Sequence, residues 1–171
     1  MFISAQLVEL KGLRAQLNLT DKKVEDLEKS HKDLKVAFSA ALVQSHEQKF
    51  GPVSTRIPLV YRHVFTNVGN AYDPNTGNFR APVRGVYQFM MHNLASASAL
   101  HPVSTLLIKN GQQVLMSYGF QVGPHFVTSS NGASLQLEAG DVVSVELWEN
   151  STVFDNMNHH NTFSGHLLFT L

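Results

Sequence analysis

Apolar positions follow two different rules along this chain. Over the first 35 residues they recur every three or four positions, and from Val36 onward they tend to alternate with polar ones. With Ile3 placed at heptad position a, that series runs Ile3, Leu10, Leu17, Val24 and His31. The d series runs Gln6, Leu13, Thr20, Leu27 and Leu34. Ile3, Leu10, Leu13, Leu17, Val24, Leu27 and Leu34 then form a narrow apolar seam of the kind a coiled coil buries between helices. Glu9 (g) faces the next e position, Arg14, and Lys23 (g) faces Glu28 (e), the arrangement that sets partner choice. The segment has one glycine, Gly12, and no proline. A continuous helix of roughly 50 Å is expected at 1.5 Å per residue. A helix folded back on its own head is the competing reading, but the stripe is narrow and sustained, which favours the coiled coil. The mixture of Leu, Ile and Val leaves the oligomer number open. The stripe begins at once, as though the stalk continues upstream.

The second segment predicts strands. Val36–Val43, Val83–Leu94, Val103–Lys109, Gln112–Tyr118, Ala133–Leu137, Val142–Trp148 and Thr162–Leu171 each carry a two-residue period between turn signals. Tyr87, Phe89 and Met91 should face one way and Gln88, Met90 and His92 the other. Phe163, Leu167, Phe169 and Leu171 are expected to share a face. Asn110-Gly111 between two strands is a strong hairpin signal, and Asp73-Pro74-Asn75-Thr76-Gly77 reads as a turn with Pro at its second position. Many short strands with no second helix predict an all-β sandwich or barrel. The closing strand is too apolar for an exposed edge and should be central. The sequence therefore predicts a stalk over residues 1–35 and a head over 36–171.

Charge sharpens that boundary. Half of the chain's 13 basic and 13 acidic residues fall in the first 35 positions, and the formal net charge is zero. A neutral chain lacks the basic footprint of nucleic-acid binders, and no apolar run is long enough to span a bilayer. With no cysteine, disulfides, thiolate zinc sites and cysteine nucleophiles are excluded. The N-terminus lacks the basic start and continuous apolar stretch of a secretory signal. The chain is thus either cytosolic or a processed or truncated form, and the features below favour the second.

From Tyr61 to Met91 the spacing of Tyr61, Asn67, Tyr72, Phe79, Gly85, Tyr87 and Phe89 resembles the signature of C1q-like domains, the globular heads of complement C1q, cerebellins and adiponectin. Val36–Ala40 resembles that family's opening strand, Leu137–Asp141 the turn before its penultimate strand, and Phe163–Phe169 its closing strand. The resemblance covers about residues 36–171. Tyr61 stands where Phe is usual and Met91 where Phe or Tyr is usual; both are large enough to pack. The resemblance implies a ten-stranded jelly roll, similar to tumour necrosis factor, that associates as a trimer. A coiled coil just before such a head would hold three chains in register. Neither a Gly-X-Y run nor a cysteine is present to build covalent assemblies beyond the trimer.

Several members of that family bind calcium near the trimer apex, but the corresponding stretch Ser117–Ser130 contains no carboxylate. Phe120 and Val127 stand where relatives offer Asp and Gln, so no site of that type is expected. Asp155 with Asn156 and Asn158 reads as a polar turn more readily than as a cation site. His159 and His160, being adjacent, would point to opposite faces of a strand and cannot readily chelate together. Neither a His-x-His spacing with a following Glu nor a Gly-x-Ser-x-Gly elbow occurs, nor a glycine-rich phosphate loop before a helix. No metal, cofactor or catalytic residue is expected. Asn18-Leu19-Thr20 and Asn150-Ser151-Thr152 are N-glycosylation triplets, weak support for secretion. The expectation is a secreted trimeric binding protein, associating with itself or with related chains. Its head would recognise a cell-surface protein or glycan, in innate pattern recognition or in cerebellin-like adhesion. A matrix oligomer without a discrete ligand is the main alternative, and a jelly-roll enzyme a remote one. The ligand class rests on analogy.

Overall fold

The computed structural model describes residues 2–33, 35–96, 100–120 and 125–171, with side chains of residues 1–5 and 29–34 outside the description. The chain divides into two compact units, residues 1–35 and 36–171. The first is a single helix, α1 (Phe2–Asp33). Leu10, Leu13, Leu17, Val24 and Leu27, the described seam positions, are all exposed on it. The Ile3 side chain and Leu34 lie outside the described residues. Thr20, which interrupts the seam, donates its hydroxyl to the Gln16 carbonyl at 2.9 Å, so the helix itself satisfies this polar group.

The second unit is all β, an antiparallel jelly roll in which the described residues form thirteen strand segments, several only two or three residues long. One sheet has five strands in the order β10 (Val127–Leu137), β7 (Gly85–Ala95), β13 (Thr162–Thr170), β1 (Ala37–Ala41) and β4 (His63–Val68). The closing strand β13 is central, as its apolar character required. The opposite sheet runs β5 (Tyr72–Asp73), β6 (Asn78–Arg80), β11 (Val142–Leu147), β8 (Val103–Lys109) and β9 (Gln112–Gly119), with β3 (Ile57–Pro58) also paired to β11. A small ribbon pairs β2 (Gln48–Phe50) with β12 (Val153–Asp155).

Alternation on β7 places Tyr87, Phe89 and Met91 fully inside while Gln88 and Met90 are half-buried and His92 exposed. Each fully buried side chain of that size contributes roughly 1.5–3 kcal/mol through apolar burial. Aromatic rings bridge the two sheets. Phe38 of β1 stacks on Tyr72 at 4.7 Å and on Phe79 at 5.3 Å, and Phe79 meets Phe89 edge-on at 5.2 Å. Asn110 and Gly111 both adopt positive φ (50° and 78°), the geometry of the tight hairpin joining β8 to β9.

Two expectations need correction. Phe163 and Leu167 do face inward or partly so, but Phe169 and Leu171 are 55% and 53% exposed. A β-bulge between Leu167 and Phe169 resets the register, pairing Phe169 with outward-facing Val86 instead of a core position; one extra residue turns every later side chain over. The strand predicted at 133–137 begins six residues earlier, at Val127. It pairs with β7 along its whole length, because β7 supplies partners for a segment too small and polar to show its own period.

Candidate functional site

The face of the five-stranded sheet turned away from the core has an unusual composition. Not one Asp, Glu, Lys or Arg occurs in β1, β4, β7, β10 or β13. Register assembles this face from Val86, Gln88, Met90 and His92 on β7 and from Ser164, His166 and Phe169 on β13. Ala37 and Ser39 on β1, Thr66 and Val68 on β4, and Ser130, Gly132 and Ser134 on β10 complete it. Phe65, Val68, Leu168 and Phe169 are about half exposed in the single chain. One-faced antiparallel sheets ordinarily turn polar and charged groups to water. Small residues and exposed phenyl rings without a charge form a surface suited to contact another protein. Gly132 belongs to this flatness: a Cβ there would collide with the Met90 sulfur and the Phe89 carbonyl. At the sheet's lower end Gly85 is equally confined, a Cβ lying 2.6 Å from the Phe169 oxygen and 2.7 Å from Leu167 Cδ1.

The signature residues build the head and do not gather into a ligand site. The Asn67 amide clasps the backbone of Tyr72, its Nδ2 donating to the Tyr72 carbonyl (2.8 Å) while its Oδ1 accepts from the Tyr72 N–H (3.3 Å). The Tyr72 hydroxyl donates to the Tyr61 carbonyl at 2.8 Å, and the Tyr87 hydroxyl to that of Val83 at 2.8 Å. Tyr61 is fully buried and its hydroxyl has no partner in the described structure. Burial pushes the Tyr61 and Tyr72 hydroxyls well above the ordinary phenol range.

Below them, Asp73 caps its own turn, accepting from the Asn75 N–H at 2.9 Å and the Thr76 hydroxyl at 3.0 Å, which holds its carboxyl below the usual range. Asp141 ties the 138–141 turn to the β8–β9 hairpin. It accepts from the Asn110 amide (2.9 Å) and the Glu138 N–H (3.0 Å) and lies 3.1 Å from Lys109 Nζ; these donors lower its pKa to about 2.

Sequence reasoning missed three polar constellations. Asn93 donates to the Ser117 hydroxyl (2.9 Å) and the Ser129 carbonyl (3.3 Å), and Ser117 also meets Ser129 (2.8 Å) and Thr105 (3.2 Å). This buried network joins β7, β8, β9 and β10. Its trace in the sequence is parity, since Asn93 continues the inward series of Tyr87, Phe89 and Met91. The second is Asp155, completely buried, whose carboxylate accepts from the N–H groups of Val43 (3.3 Å), His160 (2.7 Å) and Asn161 (3.3 Å). That carboxylate is committed to the backbone, and Asn156 Oδ1 accepts from the Asn158 N–H. The third is a surface stack in which the His63 and His159 rings lie 4.2 Å apart, with Phe65 edge-on to both. Val43 with Asp155, and His63 with His159, join segments distant in sequence and leave no local spacing to read.

Of the remaining candidates, Asn18 and Asn150 are exposed, and Asn150 sits in the left-handed region at φ 56°. Phe120 is 46% exposed and Val127 half-buried; neither offers an oxygen ligand. Among the described residues no three His, Asp or Glu side chains come together as metal ligands. No described helix is long and apolar enough to cross a membrane. An open cleft of about 670 Å³ lies between Phe126, Phe154, Glu47, Lys49 and His160, with the two phenyl rings 5.5 Å apart.

Comparison with known proteins accords with this geometry. Residues 37–168 match the C1q domain. Among curated proteins, 136 residues are 33% identical to zebrafish (Danio rerio) Caprin-2, covering 80% of this chain and 14% of that protein. Another 137-residue match is 32% identical to human complement C1q tumor necrosis factor-related protein 3, covering 80% of this chain and 52% of that one. The chain thus spans about half, or far less, of the relatives it matches. Similar solved structures include the globular domain of zebrafish complement 1qA (TM-score 0.63, 21% identity, covering 80% of this chain and 100% of that one). Eiger TNF from S. frugiperda (0.63, 14%, covering 80% and 94%) and murine APRIL (0.61, 10%, covering 78% and 99%) share the fold. The C1q family match, the signature clasp at Asn67 and the two-sheet jelly roll agree: this chain belongs to the C1q domain family.

Proposed function

We propose that the chain is a secreted, non-enzymatic binding protein. It works as a trimer of C1q-like heads (36–171) on a coiled-coil stalk (1–35) and recognises a cell-surface protein or glycan. The observation that carries this reading is the charge-free outer face of the five-stranded sheet. Left in water, a face with exposed Phe65, Val68 and Phe169 and no ionic side chain invites uncontrolled association; turned toward two further copies, it becomes an interface core. The stalk supports association without fixing its number, because Leu10, Leu13, Leu17, Val24 and Leu27 are exposed on the single helix and need neighbouring helices to cover them. Asn18 and Asn150 are the positions for glycans, both exposed.

Ligand recognition falls to the surfaces that trimer formation leaves open. The heads work without the calcium ligands of their relatives, since Phe120 and Val127 supply none. A glycan array and a cell-surface receptor screen, run with the intact trimer, test the reading. Specific binding to a protein or glycan in either supports it. Silence in both sinks recognition and favours a structural matrix role.

A further inference from the structure

The charge-free face carries titratable groups of one kind only. His92 and His166 are exposed on it, and His63 is partly buried at its edge. His92 Nδ1 lies 3.0 Å from the Ser130 hydroxyl of β10 and pairs with Thr162 of β13. His166 is flanked by Gln88 of β7 and Ala37 of β1. His63 pairs with Ala41 and stacks on His159 beside Phe65. No carboxylate occurs in these five strands, nor in β9 beside them. Of the carboxylates that flank these strands in sequence, Glu138 pairs with Arg84 at 3.1 Å, Asp73 accepts within its own turn, Asp155 accepts from three backbone N–H groups and Glu47 lines the cleft with Lys49 and His160; the Asp33 side chain lies outside the described residues. The other ionisable groups within two residues of these strands, Lys35, Arg62, Arg84, His125 and His160, add positive charge or none.

Imidazole is the side chain that gains charge between about pH 8 and pH 5. Burying an imidazolium without a counter-ion is strongly unfavourable. We propose that association through this face is an acid-sensitive switch: protonation of His92 and His166 separates the three heads. The inference rests on the trimer reading above and adds its regulation. Two imidazoles on each of three copies set the ceiling for proton uptake on separation. By linkage the trimer dissociation constant then rises by at most about six powers of ten per pH unit.

Met90 and Met91 provide a test in the full chain. Met90 is half-buried on the switch face of a single chain, and Met91 is fully buried on the opposite side of the same strand. With methyl-labelled methionine and a soluble gadolinium chelate, NMR line broadening reads solvent access at each methyl, whether or not the stalk still holds the chains together. At about pH 7.5 both methyls should be protected. At about pH 5 Met90 alone should broaden several-fold, reversibly, and the His92→Gln/His166→Gln variant should stay protected. Protection of Met90 at both pH values overturns the switch and leaves the trimer standing, as does equal opening of the variant. Broadening of Met90 already at about pH 7.5 overturns the trimer face and the switch with it. Simultaneous broadening of Met91 marks unfolding of the head and overturns the switch as the cause.

Discussion

Replacing Tyr61 with Phe removes one oxygen from the centre of the head. The ring is fully buried and packs against Phe163 at 5.8 Å, while its hydroxyl has no hydrogen-bond partner among the described residues. A buried polar group without a partner costs about 1–3 kcal/mol of desolvation. The space vacated by one oxygen, on the order of 15 Å³, returns roughly 0.3 kcal/mol as a cavity penalty. Tyr61→Phe should therefore stabilise the head by about 1–2 kcal/mol. At about 2.1 cal/mol/K of unfolding entropy per residue, a head of this size gains about 3–4 °C for each kcal/mol, so Tm should rise by roughly 3–7 °C.

The contrast is Tyr72→Phe. That hydroxyl donates to the Tyr61 carbonyl, so its loss strands a buried acceptor and should cost about 1 kcal/mol. Both variants are compared by near-ultraviolet circular dichroism during heating. A loss of 1 kcal/mol or more in Tyr61→Phe would refute the orphaned hydroxyl, because only a satisfied group is missed that much. The pair also contributes to the alkaline limb. Burial raises both hydroxyls above the ordinary value of 10.0, so the folded state holds these protons longer than the unfolded chain does. Their contribution is complete below about pH 10 and falls above it by about 1.4 kcal/mol per pH unit for each group; Tyr61→Phe should make that fall shallower, with Tyr72 and Tyr87, whose hydroxyls are also raised by burial, still contributing.

Other expectations follow from single positions. Gly85→Ala should cost about 1–3 kcal/mol by forcing a methyl group against the Phe169 carbonyl and Leu167; an unchanged denaturant midpoint would contradict that packing. Gly12 has nothing within 4 Å of an added Cβ, so Gly12→Ala should raise stalk stability by about 1 kcal/mol, read from helix melting at the amide band. Destabilisation there would mean that a partner presses on Gly12. Asp73 and Asp141 have depressed carboxyl pKa values. Their contribution is present above the unfolded value of 3.8 and is lost as pH falls through the folded ones, about 2 for Asp141. Asp141→Asn should therefore flatten the acid limb of a pH–stability profile, and an unaltered limb would show that the turn contacts do not persist in solution.

Local patterns made much of the head legible. Period-two alternation exposed β7 and β11, while β8, expected to alternate, is buried at every position from Val103 to Ile108; the Asn110-Gly111 pair placed a hairpin where both residues adopt positive φ. Asn67, Tyr72 and Gly85 could be matched by spacing, yet their roles as a backbone clasp, a buried anchor and a close approach emerge only from the structure. The exposure of Phe169 was hidden because a bulge adds a single residue that no local signal announces. The first half of β10 was hidden because Thr128, Ser129, Ser130 and Asn131 owe their strand to β7. The candidate face was readable only after register had brought together segments from both ends of the head. Each strand alone is merely uncharged; five side by side make a surface.

The mass of the 171-residue chain in solution tests that surface most directly. Light scattering near neutral pH should give three times the 19.0 kDa chain mass, about 57 kDa, and Val68→Glu on the face should expose Met90 to the gadolinium probe without unfolding the head. A native species at 19.0 kDa, or a trimer in which Val68→Glu leaves Met90 protected, would contradict it.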